Sequence, residues 1–172
     1  VFTSGTTEAL NLVAHGLSQG LYGRAAAIGP DDEIIVSGLE HHANLVPWQQ
    51  AAQRSGATLR IFLPDANGQL QAEDLVRLLS PRTRVFALTA GANASGERPP
   101  YEALLALAHA AGAITVLDAA QAVGHSALHM APPRLAEGER VHRCLRNATG
   151  ATTPPPRRPR DGDDGQNYQR RH

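Results

Sequence analysis

A chain of 172 residues, 42% apolar and 19% charged, is long enough for one domain with a real core and too short for two comfortable ones. Sixteen basic residues balance sixteen acidic ones, so no global charge points to nucleic acid or a membrane surface, and no apolar run approaches the ~20 residues of a membrane-spanning helix. The single cysteine, Cys144, excludes an internal disulfide framework and suits a reducing cytoplasm, and no signal-peptide pattern opens the chain.

The chain begins in what reads as a strand around Phe2-Thr3 and passes through Ser4-Gly5-Thr6-Thr7-Glu8 into a helix predicted over 6–17, with Leu10, Val13 and Leu17 on one face. Free N–H groups at a helix start beside two hydroxyls suit a phosphate, while a hydroxyl followed by Glu8 equally reads as a plain capping box. A strand over Glu33–Ser37 leads to Glu40-His41-His42-Ala43-Asn44. Adjacent histidines rarely chelate one ion; a flat imidazole can stack on an aromatic cofactor, or the segment is a solvated loop in which Asn44 caps the next helix, 44–54.

A strand over 58–63, a turn at Asn67-Gly68, a helix over 72–79 and a break at Ser80-Pro81 follow, then a strand over 85–89. Behind it stands Asn93-Ala94-Ser95-Gly96, whose amide can bind a carboxylate or phenolic oxygen and which simple turn chemistry explains as well. The Asn93 and Asn147 triplets also match a glycosylation sequon that a cytoplasmic protein would not use. After Pro99-Pro100 come a helix over 101–111 and a strand over 113–118, which closes on Asp118-Ala119-Ala120-Gln121. A carboxylate ending a buried strand is costly without a partner, which favours a functional role for Asp118.

Strands rich in apolar residues, alternating with helices, predict an α/β domain with a mostly parallel sheet whose strands are buried on both faces. In such a sheet, ligands sit beyond the carboxyl ends of the strands, where these polar clusters fall. The character changes near Met130. Residues 131–172 hold nine arginines against five acids, a net of +4, and six of the twelve prolines. From Asp161 to His172 there is one aromatic and no aliphatic residue, so this Arg/Pro-rich tail is expected to be disordered.

Taken together the clusters carry a resemblance. Glu40-His41-His42-Ala43-Asn44-Leu45-Val46-Pro47-Trp48 resembles the EHHANxVPW signature of the SufS/CsdA-type cysteine desulfurases, in the class-V aminotransferase superfamily. Around it stand a GTTEAxNLVA-like segment from Gly5 to Ala14, an NxSG turn at Asn93 and a DAAQAxxH-like segment from Asp118 to His125. The resemblance covers residues 1–130 and implies part of the large domain of a fold-type-I enzyme dependent on pyridoxal 5'-phosphate.

It also implies roles. Thr7 would bind the cofactor phosphate, His41 stack on the pyridine ring, Asp118 pair with the pyridine nitrogen, and Gln121 bond the phenolic oxygen; Asn93 would lie near that oxygen and the substrate carboxylate. The family takes sulfur from L-cysteine as an enzyme persulfide, leaves L-alanine, supplies iron–sulfur cluster assembly through a sulfur-acceptor protein, and works as a homodimer. Another class-V lyase or aminotransferase is the near alternative, which the EHHANLVPW string argues against.

This chain departs from the family after Met130. The family continues into an SGHK motif whose lysine holds the cofactor as a Schiff base, and these 172 residues contain no lysine: all sixteen basic residues are arginine. Base composition of a GC-rich genome disfavours lysine codons without ordinarily removing a catalytic one. The family's persulfide cysteine lies further downstream, so Cys144 does not take that role and no catalytic residue is expected in this chain. Nor does the chain carry the family's leading segment or its smaller carboxyl-terminal domain. The abrupt break with rising arginine and proline is what a frameshift near codon 130 produces; a divergent extension is the other reading. Without the amine nucleophile the chain alone is expected to be a non-catalytic remnant.

Overall fold

Side chains alternate along the strands between two packed layers, one on each face of the sheet. The computed structural model describes residues 2–23, 26–123, 146–147 and 149–151. Its elements run α1 (Thr6–Ser18), β1 (Glu33–Ser37), α2 (His42–Ser55), β2 (Thr58–Phe62), α3 (Ala72–Leu78), β3 (Thr83–Thr89), α4 (Tyr101–Ala110) and β4 (Ile114–Asp118). Four strands are parallel in the order β2-β1-β3-β4, with Ser37 opposite Phe62 and Thr89 opposite Asp118. Ile34, Val36, Val85, Ala87, Ile114 and Val116 point to one face and meet Leu10, Val13, Ala14 and Leu17 of α1 and Trp48 and Ala51 of α2. Ile35, Phe86, Leu88 and Leu117 point to the other and meet Leu75 of α3 and Leu104 and Ala108 of α4. This is the three-layer α/β arrangement expected, each fully buried large side chain contributing about 1.5–3 kcal/mol.

Strands β1, β3 and β4 are buried throughout. Strand β2 differs from expectation: only Phe62 is buried, while Thr58 and Ile61 are exposed. It is the edge of the sheet, paired on one side alone, so its apolar run does not bring burial on both faces. Phe2 and Thr3 form no strand, Phe2 being 93% exposed. Two short strands, β5 (Arg146–Asn147) and β6 (Thr149–Ala151), lie within the expected tail, and β6 runs antiparallel to β4. The rest of residues 131–172, including Cys144 and the stretch 161–172, lies outside the described residues, as does His125.

The amino edge of the sheet is locked by Glu33. Its backbone N–H donates to the Arg82 carbonyl, and its buried carboxylate accepts from Ser80 Oγ at 2.7 Å and Arg82 at 2.8 Å, with Arg60 at 3.5 Å. Pro30 lies at this edge, against Gly56 before β2. Leu17, near the end of α1, accepts from Ile28 N just ahead of that proline. The carboxyl end of α1 is thus anchored at the amino edge.

Candidate functional site at the carboxyl edge of the sheet

The loops after β1, β3 and β4 meet beyond the strand ends. Thr89 and Asp118 are cross-strand partners, and Ala90 N–H donates to the Asp118 carbonyl at 2.8 Å. The Thr89 hydroxyl donates to Gly91 O at 2.8 Å, tightening the turn. Gly91 in turn lies against Gln121: a Cβ placed on it would stand 3.9 Å from that of Gln121.

Asp118 is 6% exposed, and its Oδ1 accepts from Ala120 N–H at 3.0 Å, so the carboxylate is held in the turn. Gln121 is exposed three residues on. Asn93 is exposed in a turn closed by Gly96 N–H on Ala92 O and Ala92 N–H on Glu97 O, its side chain free of bonds to other described residues. His41 is exposed as well; its Nδ1 accepts from Ala43 N–H at 3.2 Å and its ring stands edge-on to His42 at 5.9 Å.

His41 therefore caps α2, a role that one of the two sequence readings gave to Asn44. Asn44 lies inside the first turn, fully buried, where it bonds Glu40 and Trp48. At α1 the anticipated capping box is displaced by one residue. The N-cap is Gly5, which has no side chain to offer, and Glu8 reaches past it to Ser4 N–H at 2.6 Å and the Ser4 hydroxyl at 2.7 Å. The first-turn N–H groups are left without a side-chain cap, beside the exposed Thr7.

The buried carboxyl at this edge to which sequence reasoning gave no role of its own is Glu40. Its Oε1 accepts from Thr89 N–H at 2.6 Å and from the Ser37 hydroxyl, and its Oε2 accepts from Asn44 Nδ2 at 2.6 Å. Burial, with the Asp118 charge adding to it, pushes the carboxyl up to about 7 against these three donors. Glu33, at the other end of β1, is buried too, yet Ser80, Arg82 and Arg60 outweigh that burial and hold it below the usual carboxylate range. The two differ in their partners: none of the hydrogen-bond donors to Glu40 is a cation. The signal for Glu40 was present in the string as Glu-x3-Asn-x3-Trp, a spacing that puts Asn44 and Trp48 on one helix face with Glu40 in line just ahead of the helix.

The loops at the carboxyl edge thus carry a held carboxylate, an exposed imidazole and two exposed amides, and α1 has an uncapped start. This set suits a flat, anionic, nitrogen-bearing group, and it offers no amine for covalent attachment because the chain has no lysine. Among the described residues, no three His, Cys, Asp or Glu side chains cluster as a metal site, and no helix is long and apolar enough to cross a membrane.

Residues 1–132 match the aminotransferase class-V family model. The chain is 47% identical over 125 residues to a probable cysteine desulfurase of Pseudomonas putida, covering 73% of this chain and 29% of that protein. Among solved structures it resembles the cysteine desulfurase CsdA of Escherichia coli at 39% identity and a TM-score of 0.63, over 69% of this chain and 28% of that one. A cysteine desulfurase of Thermococcus onnurineus gives 38% identity and a TM-score of 0.63, over 73% and 29%. The chain spans under a third of the length of these relatives. With the parallel four-stranded sheet and its flanking helices matching part of these cysteine desulfurase structures, the chain belongs to the aminotransferase class-V family.

Proposed function

We propose that residues 1–130 are the non-covalent half of a pyridoxal-phosphate site from a cysteine desulfurase. The observation that carries this reading is the convergence of Asp118, Gln121 and the Glu40–His41 turn on the ends of adjacent parallel strands. When bound, pyridoxal phosphate supplies the electron sink for bond breaking at the substrate's α-carbon.

The chain's own residues would do the rest. The uncapped first turn of α1 and the Thr7 hydroxyl would hold the phosphate. Asp118 would keep a proton on the pyridine nitrogen, His41 would cover the ring and exclude water from that face, and Gln121 would bond the phenolic oxygen. Asn93 would orient the substrate carboxylate. In the whole enzyme this site would convert L-cysteine to L-alanine and pass the sulfur, as a persulfide, to an acceptor protein for iron–sulfur cluster assembly. A dimer in the cytoplasm is the setting that the family implies.

The lysine-free composition supports a second reading for the 172 residues alone: they bind the cofactor without turning over substrate. Arginine does not substitute, since its guanidinium stays protonated. A frameshift near codon 130 would account for the loss, and an SGHK-coding stretch in another frame beyond that codon is expected on resequencing.

Titrating the chain with pyridoxal phosphate tests the cofactor site. Saturable binding is expected, with no borohydride-fixed adduct on any internal side chain and no sulfide released from L-cysteine with a thiol reductant. Absence of saturable binding would sink the cofactor reading; sulfide release would sink the non-catalytic one.

A further inference from the structure

Three polar side chains on α2 and its leading loop are spaced by four, and their contacts run in one direction. Trp48 Nε1–H donates to Asn44 Oδ1 at 2.9 Å, and Asn44 Nδ2–H donates to Glu40 Oε2 at 2.6 Å. The other carboxylate oxygen receives Thr89 N–H at 2.6 Å and the Ser37 hydroxyl. The relay thus starts in the core, at the fully buried Trp48, and ends on the last residues of β1 and β3. His41 sits inside it: the imidazole accepts from Ala43 N–H, and the His41 carbonyl accepts from Asn44 N–H at 2.8 Å. Fixing Glu40 and Asn44 fixes the backbone between them.

We propose that Glu40 is a positioning residue for His41: its carboxylate pins the first turn of α2 to the end of β3 and so sets where the imidazole stands at the carboxyl edge. The proposal rests on the cofactor reading only for what that imidazole would cover. The titratable groups around Glu40 are Asp118, at the end of β4, and the flanking His41 and His42, both exposed.

Counting donors gives the test. The carboxylate accepts three hydrogen bonds, and the Asn44 amide spends its N–H2 on Glu40 and its oxygen on Trp48. Glu40→Gln replaces one acceptor by an N–H2. That group then faces the Asn44 N–H2 or the Thr89 N–H, or it turns the Asn44 amide over against the Trp48 N–H. One acceptor is missing wherever the mismatch falls. Adding Asn44→Asp supplies it: the introduced carboxylate accepts from the amide at position 40 and from Trp48.

Trp48 is the one tryptophan in the chain, so its indole N–H gives a single nuclear magnetic resonance signal at the core end of the relay. In the wild-type chain the Glu40 carboxyl carbon and the indole N–H are expected to titrate with one midpoint. In Glu40→Gln the indole titration disappears and its N–H exchanges with solvent about tenfold faster, as for a weakened hydrogen bond. Compared at one fixed pH, the His41 ring signals shift in Glu40→Gln and return in Glu40→Gln/Asn44→Asp. An indole signal that ignores the wild-type carboxyl titration overturns the proposal, and that measurement needs no variant to fold. So do His41 ring signals unchanged in Glu40→Gln. If both resonances respond as stated but pyridoxal phosphate does not bind, the cofactor reading fails and the positioning role stands.

Discussion

The Glu40 carboxylate accepts the Thr89 backbone N–H at 2.6 Å, so the loop after β1 is tied to the end of a strand 49 residues further on. At the opposite edge the buried Glu33 is held instead by two cations, Arg82 and Arg60, which neutralise it. Glu40 has neutral donors alone, which hydrogen-bond the carboxylate and leave its charge uncompensated.

That difference sets a pH dependence. Burial first, and the Asp118 charge after it, raise Glu40 from 4.5 to about 7. Between those values the folded chain holds a proton that the unfolded chain has released, so stability falls as pH rises through the window. The contribution is fully present below pH 4.5 and lost above about 7. It amounts to at most about 3 kcal/mol, reduced where water reaches the group. Urea unfolding at pH 5 and pH 8 is expected to show the wild type weaker at the higher pH. Glu40→Gln should lose that slope, and an equal slope in both proteins would place the titration elsewhere.

Most of the architecture could be read from the sequence. The runs at Ile34–Val36 and Val85–Leu88 are apolar throughout and 114–117 is broken only by Thr115, too apolar for a half-exposed strand, and they are indeed buried on both faces. The run Leu59–Leu63 looks similar, yet Ile61 is 38% and Leu63 68% exposed, because strand order, which no local pattern encodes, puts β2 at the edge. The site was legible in part. Asp118 was expected at a strand end and stands there, but the pairing of Glu40 with Thr89 depends on β1 lying beside β3. His41 was missed as a helix cap because an imidazole nitrogen seldom takes the place of a hydroxyl or carboxylate.

Removing the charge at the amino edge should have the opposite pH signature. Ser80, Arg82 and Arg60 hold Glu33 below the usual carboxylate range against its burial, so its contribution is present at neutral pH and lost as pH falls through its folded value. Glu33→Gln is expected to cost about 1–2 kcal/mol at neutral pH. The loss stays below that of a fully enclosed ion pair, since the arginine side chains are 36% and 68% exposed and can rehydrate. Denaturant unfolding should show the gap between variant and wild type narrowing toward pH 3.

Helix α2 ends on Gly56, whose φ of 74° lies in the left-handed region. A Cβ there would stand 3.2 Å from that of Pro30, tighter than ordinary contact. Gly56→Ala is expected to cost about 1–2 kcal/mol, from backbone strain together with this crowding. A thermal melt unchanged from wild type would mean that the turn relaxes around the methyl group.

Asp118→Asn separates the fold from the cofactor reading. The Asp118 Oδ1 accepts Ala120 N–H, and an asparagine oxygen accepts it equally, so the turn after β4 should survive and the melting temperature should change little. What is lost is the negative charge that would keep a proton on the pyridine nitrogen. Affinity for pyridoxal phosphate is therefore expected to fall about tenfold, in line with the loss of one charge-assisted hydrogen bond. The bound cofactor's absorption should also shift toward that of the unprotonated ring. Unchanged affinity and spectrum in a well-folded variant would assign the carboxylate to the turn alone, and the orientation proposed for the pyridine ring would have to be abandoned.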